Sequence, residues 1–244
     1  MSKSQIDRLG ARLKEGDLGE AQLRELDEYR RSFHPAYDVV VRRIEAKLQL
    51  KPTGRPAKST IAIIEKLRRE SIRLTQVQDI AGCRVTVEDA AEQDRIVNAL
   101  ASMFEQVSIV DRRARPSYGY RAVHIIVNFD GKLIEVQVRT KLQHHWAELS
   151  EKFSDVIDPN IKYGAGPENV RKLLSGCTEY IVDLERMETE LAKLLDSANI
   201  PREQFSDSLK QANATAKEMI DKHKQRLATL MQKGVSGLSK GQDK

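Results

Sequence analysis

The clearest alternation of apolar and polar positions lies between Ser117 and Thr140, in two period-two segments joined by Asp130-Gly131. An Asp-Gly pair favours a tight primed turn, because both central residues must take positive φ. The pattern therefore predicts a β-hairpin. With Asp130 and Gly131 as the loop, Phe129 faces Lys132, Ile126 faces Glu135 and His124 faces Gln137. Side chains alternate between the faces of a strand. Val123, Ile125, Val127, Ile134, Val136 and Val138 thus share one apolar face, while His124, Glu135, Gln137 and Arg139 gather on the other.

The flanking segments extend this hairpin into a fold. Asp79 to Val87 reads as a strand entered through small residues, Glu88 to Phe104 as an amphipathic helix, Val107 to Asp111 as a strand and Lys141 to Phe153 as a helix. A β-α-β-β-β order predicts an α+β fold with a mixed sheet backed by helices. Upstream, Leu23, Leu26, Tyr29, Phe33 and Tyr37, then Val40, Val41, Ile44 and Leu48 recur at helical spacing, with Pro35 breaking the run into two helices. Lys51-Pro52-Thr53-Gly54 reads as a connector. A helix through Ile61, Ile64 and Leu67 follows, capped by Ser59 or Thr60; Leu74 to Asp79 has no assignment.

Two amphipathic stripes close the chain. Val170, Leu173, Leu174, Cys177, Ile181, Leu184, Met187, Leu191 and Leu194 form one; Phe205, Leu209, Ala212, Ala216, Met219, Ile220, His223, Leu227 and Leu230 form the other. Each needs a partner, within the monomer or from a homo-oligomer or another protein. Lys233 to Lys244 lacks apolar content and is expected to be disordered. The expected organisation is a helical region (1–53), a core (54–165), C-terminal helices (166–232) and a tail (233–244).

Composition narrows the class. Of the 244 residues 32% are charged and 5% aromatic, which suits exposed amphipathic helices. No stretch is apolar enough to span a membrane, and the polar N-terminus lacks the apolar core of a signal peptide, so a cytoplasmic location is expected. Cys83 and Cys177 have no metal-ligand spacing and read as small buried side chains. The formal charge of +5 is compatible with a polyanionic substrate and demonstrates none.

Asp79, ahead of one strand, and Glu135, on the polar face of another, are two carboxylates that could hold Mg²⁺ while leaving positions for phosphate oxygens and water. Arg55, Lys58, Lys66, Arg84, Arg112, Arg113, Arg115 and Arg139 surround them in sequence. Phosphoryl-type transfer asks for this mixture, since it depends on positioning and on neutralising charge at phosphate oxygens. Tyr120, after Gly119, offers a ring on which a base could stack, or a core tyrosine at a strand start.

RPAKSTIAIIEKL, QDIAGCRV, SYGYRAVHIIV and LIEVQVRT, in this order, resemble the synthetase domain of the RelA/SpoT family of alarmone synthetases over roughly Gly54 to Phe153. The resemblance implies a nucleotidyltransferase-like synthetase core that transfers the β,γ-pyrophosphate of ATP to a ribose 3′-hydroxyl of GDP or GTP, leaving AMP. It implies that Asp79 binds Mg²⁺, and that Glu135 binds Mg²⁺ and activates the acceptor hydroxyl. Arg55 and Arg84 match the arginines that sandwich the ATP adenine, and Lys58 and Lys66 the lysines at its phosphates. Tyr120 matches the tyrosine stacking on the acceptor guanine, with His124, Gln137 and Arg139 around it and Arg112, Arg113 and Arg115 as further acceptor contacts.

The match has departures. Two residues, rather than one, separate Arg55 from Lys58; Ala62 stands where a phosphate-loop serine is expected; and the segment before Tyr120 lacks the lysine and asparagine common in long members. No histidine-aspartate metal motif precedes the domain and no regulatory domain follows it, so the chain resembles a small stand-alone synthetase. Two alternatives stay open: a toxic small member that pyrophosphorylates the 3′ end of tRNA and is neutralised by an antitoxin protein, and a silent nucleotide- or RNA-binding module.

Overall fold

The computed structural model describes residues 1–197 and 206–240. The chain divides into two compact units, each assembled from separate segments: residues 1–85, 96–110 and 123–138 form the first, and residues 86–95, 111–122 and the chain from Arg139 onward form the second.

The first unit begins with three helices, α1 (Lys3–Glu15), α2 (Glu20–Arg31) and α3 (His34–Leu48). Ser2 and Gln5 close a capping box at the start of α1, which buries Ile6, Leu9 and Leu13 and stops at Gly16 with φ 98°. Reading helices only from Glu20 misses α1, although its apolar residues recur at three- and four-residue steps. Pro35 lies in the first turn of α3, where a missing N–H costs no helical hydrogen bond, so the chain breaks just before it. α4 (Thr60–Arg69) is capped by Ser59, whose hydroxyl accepts from the Ala62 N–H. It buries Ile63, Ile64 and Leu67 beside α1 and α2.

The sheet holds β1 (Thr53–Arg55), β2 (Ala81–Val87), β3 (Val107–Asp111), β4 (Val123–Phe129) and β5 (Lys132–Thr140) in the order β1-β2-β5-β4-β3, and α5 (Ala90–Met103) follows β2. The fold is α+β, as the element order predicts. The hairpin takes the predicted register, with Ile126 opposite Glu135 and His124 opposite Gln137. Asp130 (φ 50°) and Gly131 (φ 70°) make its primed turn. The valines and isoleucines of the apolar face are fully buried or nearly so. β1 corrects the expected connector at Lys51–Gly54: three residues are too few to show a period, and the strand exists through its antiparallel pairing with β2.

The second unit is built on α6 (Lys141–Val156), α7 (Glu168–Ser197) and α8 (Asp207–Lys240). Thr140 and Gln143 form a capping box that starts α6. Leu142, Trp146, Leu149 and Phe153 pack with Val170, Leu174, Ile181, Leu184, Leu227 and Met231. The two C-terminal stripes are narrower than their sequence pattern. Leu173, Met187 and Leu194 on α7 and Leu209, Met219 and Leu230 on α8 are exposed, because only the turn facing the neighbouring helices is covered. Phe205 lies outside the described residues. Residues 233–240, expected in a disordered tail, continue α8 instead; Val235 and Leu238 pack against the core, which the low apolar content hid. Among the described residues no helix is long and apolar enough to cross a membrane.

Candidate active site

Two of the predicted basic residues converge on one predicted acid in the first unit. Lys58 Nζ lies 2.6 Å from Asp79 Oδ2, and Lys66 Nζ lies 3.0 Å from Oδ1. The Ser59 cap fixes the entry to α4 and thereby Lys58, and Lys66 projects from the same helix. Burial would raise the Asp79 pKa, but the charges and hydrogen bonds of Lys58 and Lys66 outweigh it and hold the carboxyl below its ordinary value. Sequence reasoning missed Arg30 on α2. Its Nε donates to the Lys58 carbonyl at 2.6 Å and its Nη1 to Thr60 Oγ1 at 3.1 Å, so it braces the backbone that presents Lys58. The helical spacing around Tyr29 and Phe33 explains that helix without assigning Arg30 any task.

Glu135 occupies the polar face of the hairpin, as its register requires. Gln137 donates from Nε2 to Glu135 Oε2 at 2.7 Å, and Glu135 Oε1 lies 2.9 Å from His124 Nδ1. The three meet because His124 stands opposite Gln137 and diagonal to Glu135. Burial pushes the Glu135 pKa up, but the His124 and Gln137 contacts carry it below its ordinary value, while the nearby charge of Asp79 pushes it back up. Asp79 and Glu135 are therefore two ionised carboxylates close enough to repel each other. Gly82 makes room for this: a Cβ there would come within 2.8 Å of the Glu135 carbonyl oxygen.

Thr53 pairs with Arg84, and Arg55 with Gly82. Paired residues point to the same face of a sheet, as do residues two apart, so Arg55 and Arg84 are diagonal neighbours on the Gly82 face. Arg55 is exposed and Arg84 half-buried.

The second unit holds the remaining candidates. Ser117 and Tyr120 exchange backbone hydrogen bonds around a turn whose central residues, Tyr118 (φ 54°) and Gly119 (φ 89°), both take positive φ. Gly119 has no room for a side chain, since a Cβ would lie 2.9 Å from the Trp146 ring and 2.7 Å from Thr178 Oγ1. Arg139 donates from Nη2 to the Tyr120 hydroxyl at 2.9 Å, with its Cζ 5.0 Å from that ring's centre. The Trp146 ring is tilted 6.5 Å away from Tyr120 on centroids. Arg112 reaches Ser117 Oγ at 3.1 Å. Arg113, grouped with the acceptor contacts in sequence, is paired with Asp111 at 2.8 Å and Asp94 at 2.7 Å. Burial lowers its pKa, but hydrogen bonds and charges from those two acids more than reverse the effect. Arg115 is exposed.

Among the described residues no group of three or more His, Cys, Asp or Glu side chains could hold a metal ion. Asp79 and Glu135 would offer a smaller, all-oxygen donor set once Asp79 exchanges its lysine partners. Such a set fits Mg²⁺, which is held by one or two carboxylates and fills its other positions with waters and substrate phosphates.

Comparison with known proteins places this arrangement. Residues 54–154 match the family described as "Region found in RelA / SpoT proteins". An uncharacterized protein of Mycobacterium tuberculosis is 37% identical over 118 residues, 47% of this chain and 43% of that protein. The GTP pyrophosphokinase YjbM of Bacillus subtilis is 29% identical over 154 residues, 57% of this chain and 70% of that one. The chain thus spans less than half the length of the mycobacterial relatives it matches. The crystal structure of small alarmone synthetase 1 from Bacillus subtilis superposes with a TM-score of 0.52 and 26% identity, covering 70% of this chain and 99% of that one. Asp79, Glu135, Lys58 and Lys66 all fall inside the matched segment, which over residues 54–154 is similar to the region found in RelA/SpoT proteins, in a fold similar to that of a small alarmone synthetase.

Proposed function

We propose that the protein is an ATP-dependent pyrophosphotransferase that moves the β,γ-pyrophosphate of ATP to the ribose 3′-hydroxyl of GDP or GTP. The observation that carries this reading is the pair of ionised carboxylates, Asp79 held by two lysines and Glu135 held by His124 and Gln137. The GTP pyrophosphokinase among its relatives supports the same reaction class.

Phosphoryl-type transfer needs charge neutralisation and alignment rather than a covalent intermediate. Lys58 and Lys66 supply ammonium groups at a helix N-terminus and along its side, suited to exchange Asp79 for phosphate oxygens. Arg55 and Arg84 offer two guanidinium planes on one sheet face for the adenine. In the second unit Tyr120, braced by Arg139, supplies a ring for the acceptor guanine. The 3′-oxygen attacks the β-phosphorus, the bond from that phosphorus to the α,β-bridging oxygen breaks, and AMP departs with the electron pair. Glu135, ionised and oriented, accepts the hydroxyl proton. Asp79 and Glu135 would hold Mg²⁺, which supplies charge stabilisation at the phosphate oxygens.

Incubation with γ-labelled ATP, Mg²⁺ and either GDP, GTP or tRNA tests this. The reading expects label on the guanine nucleotide with one AMP per transfer. Label appearing only as free phosphate without AMP would remove the reaction class, and label on tRNA with none on GDP or GTP would replace the acceptor.

A further inference from the structure

We propose that Glu185, on a helix beyond the matched segment, is a positioning residue for the Tyr120–Arg139 acceptor platform. This rests on the proposed reaction and adds a part to its acceptor site.

Glu185 is 7% exposed, and both its oxygens are engaged. Oε2 accepts from Arg121 Nη2 at 3.1 Å, while Oε1 accepts from Thr140 Oγ1 at 3.1 Å and from Gln143 Nε2 at 2.7 Å. Arg121 directly follows Tyr120, and Thr140 directly follows Arg139. One carboxylate therefore ties together the two chain segments that present the ring and the guanidinium stacked on it.

The tie continues into the loop. Arg121 donates from Nη1 to the Arg113 carbonyl at 2.8 Å, closing the segment that contains the positive-φ pair Tyr118-Gly119. A non-glycine residue at positive φ persists only where its surroundings over-determine it. The other end of that segment is held by Arg113, which reaches Gln93 Oε1 at 3.2 Å; Gln93 donates in turn to Gln143 Oε1 at 2.9 Å, which returns to Glu185. A buried carboxylate engaged on both oxygens fixes one arrangement of its partners, since leaving it unpaired is costly. The hydrogen bond of 2.9 Å between Arg139 and Tyr120 depends on a spacing that Glu185 sets from behind.

The experiment compares wild type, Glu185→Gln, Arg121→Gln and the double variant in steady-state assays, with KM measured separately for ATP and for GDP or GTP. The chain's one tryptophan, Trp146, lies beside Tyr120 and reports acceptor binding by fluorescence. Glu185→Gln should raise the acceptor KM roughly tenfold, the scale of a lost charge-assisted hydrogen bond, weaken the Trp146 response in proportion and leave the ATP KM within about twofold, the scatter of a distant substitution. The double variant should be no worse than the poorer single one. A Glu185→Gln protein that matches wild type, or one that loses ATP and acceptor affinity together as general destabilisation would, overturns the positioning role alone. A wild-type protein with neither acceptor-dependent AMP formation nor a Trp146 response to GDP or GTP overturns the reaction and, with it, the inference.

Discussion

Glu135 Oε1 lies 2.9 Å from Nδ1 of His124, its diagonal neighbour across the hairpin. The contact keeps a buried carboxylate ionised and fixes its orientation, which is what an acceptor of a hydroxyl proton requires. Glu135→Gln keeps the shape and removes the charge. Turnover should fall at least ~100-fold, the scale of a lost general base, in a protein that remains folded at neutral pH. A folded variant with near wild-type turnover would dissociate Glu135 from the chemistry.

The pH dependence of stability follows from the same carboxylates. Asp79 and Glu135 are both held below their ordinary values in the folded chain. A depressed carboxylate contributes stability above its unfolded pKa and loses it as pH falls through the folded value. Urea midpoints of wild type and Asp79→Asn should therefore differ by a constant amount from neutral pH down to about pH 4, the ordinary carboxylate range, and converge only below it. Convergence already near neutral pH would contradict the assignment of Lys58 and Lys66 as its partners.

Lys66 separates the catalytic from the structural use of the lysine pair. If its ammonium group transfers from Asp79 to ATP phosphates, Lys66→Met should raise the ATP KM by ~10-fold or more, the value of a charged hydrogen bond, and leave the acceptor KM unchanged. Steady-state titration of each substrate against the other decides this. A loss of thermal stability with an unaltered ATP KM would confine Lys66 to pairing with Asp79.

The hairpin was legible because period-two alternation and one Asp-Gly turn fix every partner across it, and the meeting of Glu135, His124 and Gln137 follows from that register alone. The Lys58–Asp79–Lys66 contact was foreshadowed only by residue type: nothing in the spacing says that β2 is entered beside the start of α4. β1 was hidden by its length. Arg30 and Glu185 were hidden for another reason. Each sits on an amphipathic helix whose apolar stripe accounts for the helix, so a single polar residue beside that stripe carries no periodic signal. Arg113 shows the converse: a basic run before Tyr120 suggests phosphate contacts, but the nearby acids Asp111 and Asp94 already take its guanidinium.

The α8 stripe gives a test in which neighbouring residues should behave oppositely. Leu227 and Met231 are buried against α6 and α7, whereas Leu230, one position away, is 66% exposed. Large-to-small changes at buried sites cost about 2–5 kcal/mol, because a cavity is left where contacts were lost. Exposed apolar side chains away from such features change stability by about 0.5 kcal/mol or less. Leu227→Ala and Met231→Ala should each lower the urea midpoint clearly, and Leu230→Ala should leave it in place. Because Leu230 belongs to the stripe read from the sequence, the comparison tells a helix docked along that whole stripe from one docked along the narrower face that holds Leu227 and Met231. A large loss at Leu230 alone, appearing only at high protein concentration, would instead mean that a second copy covers it.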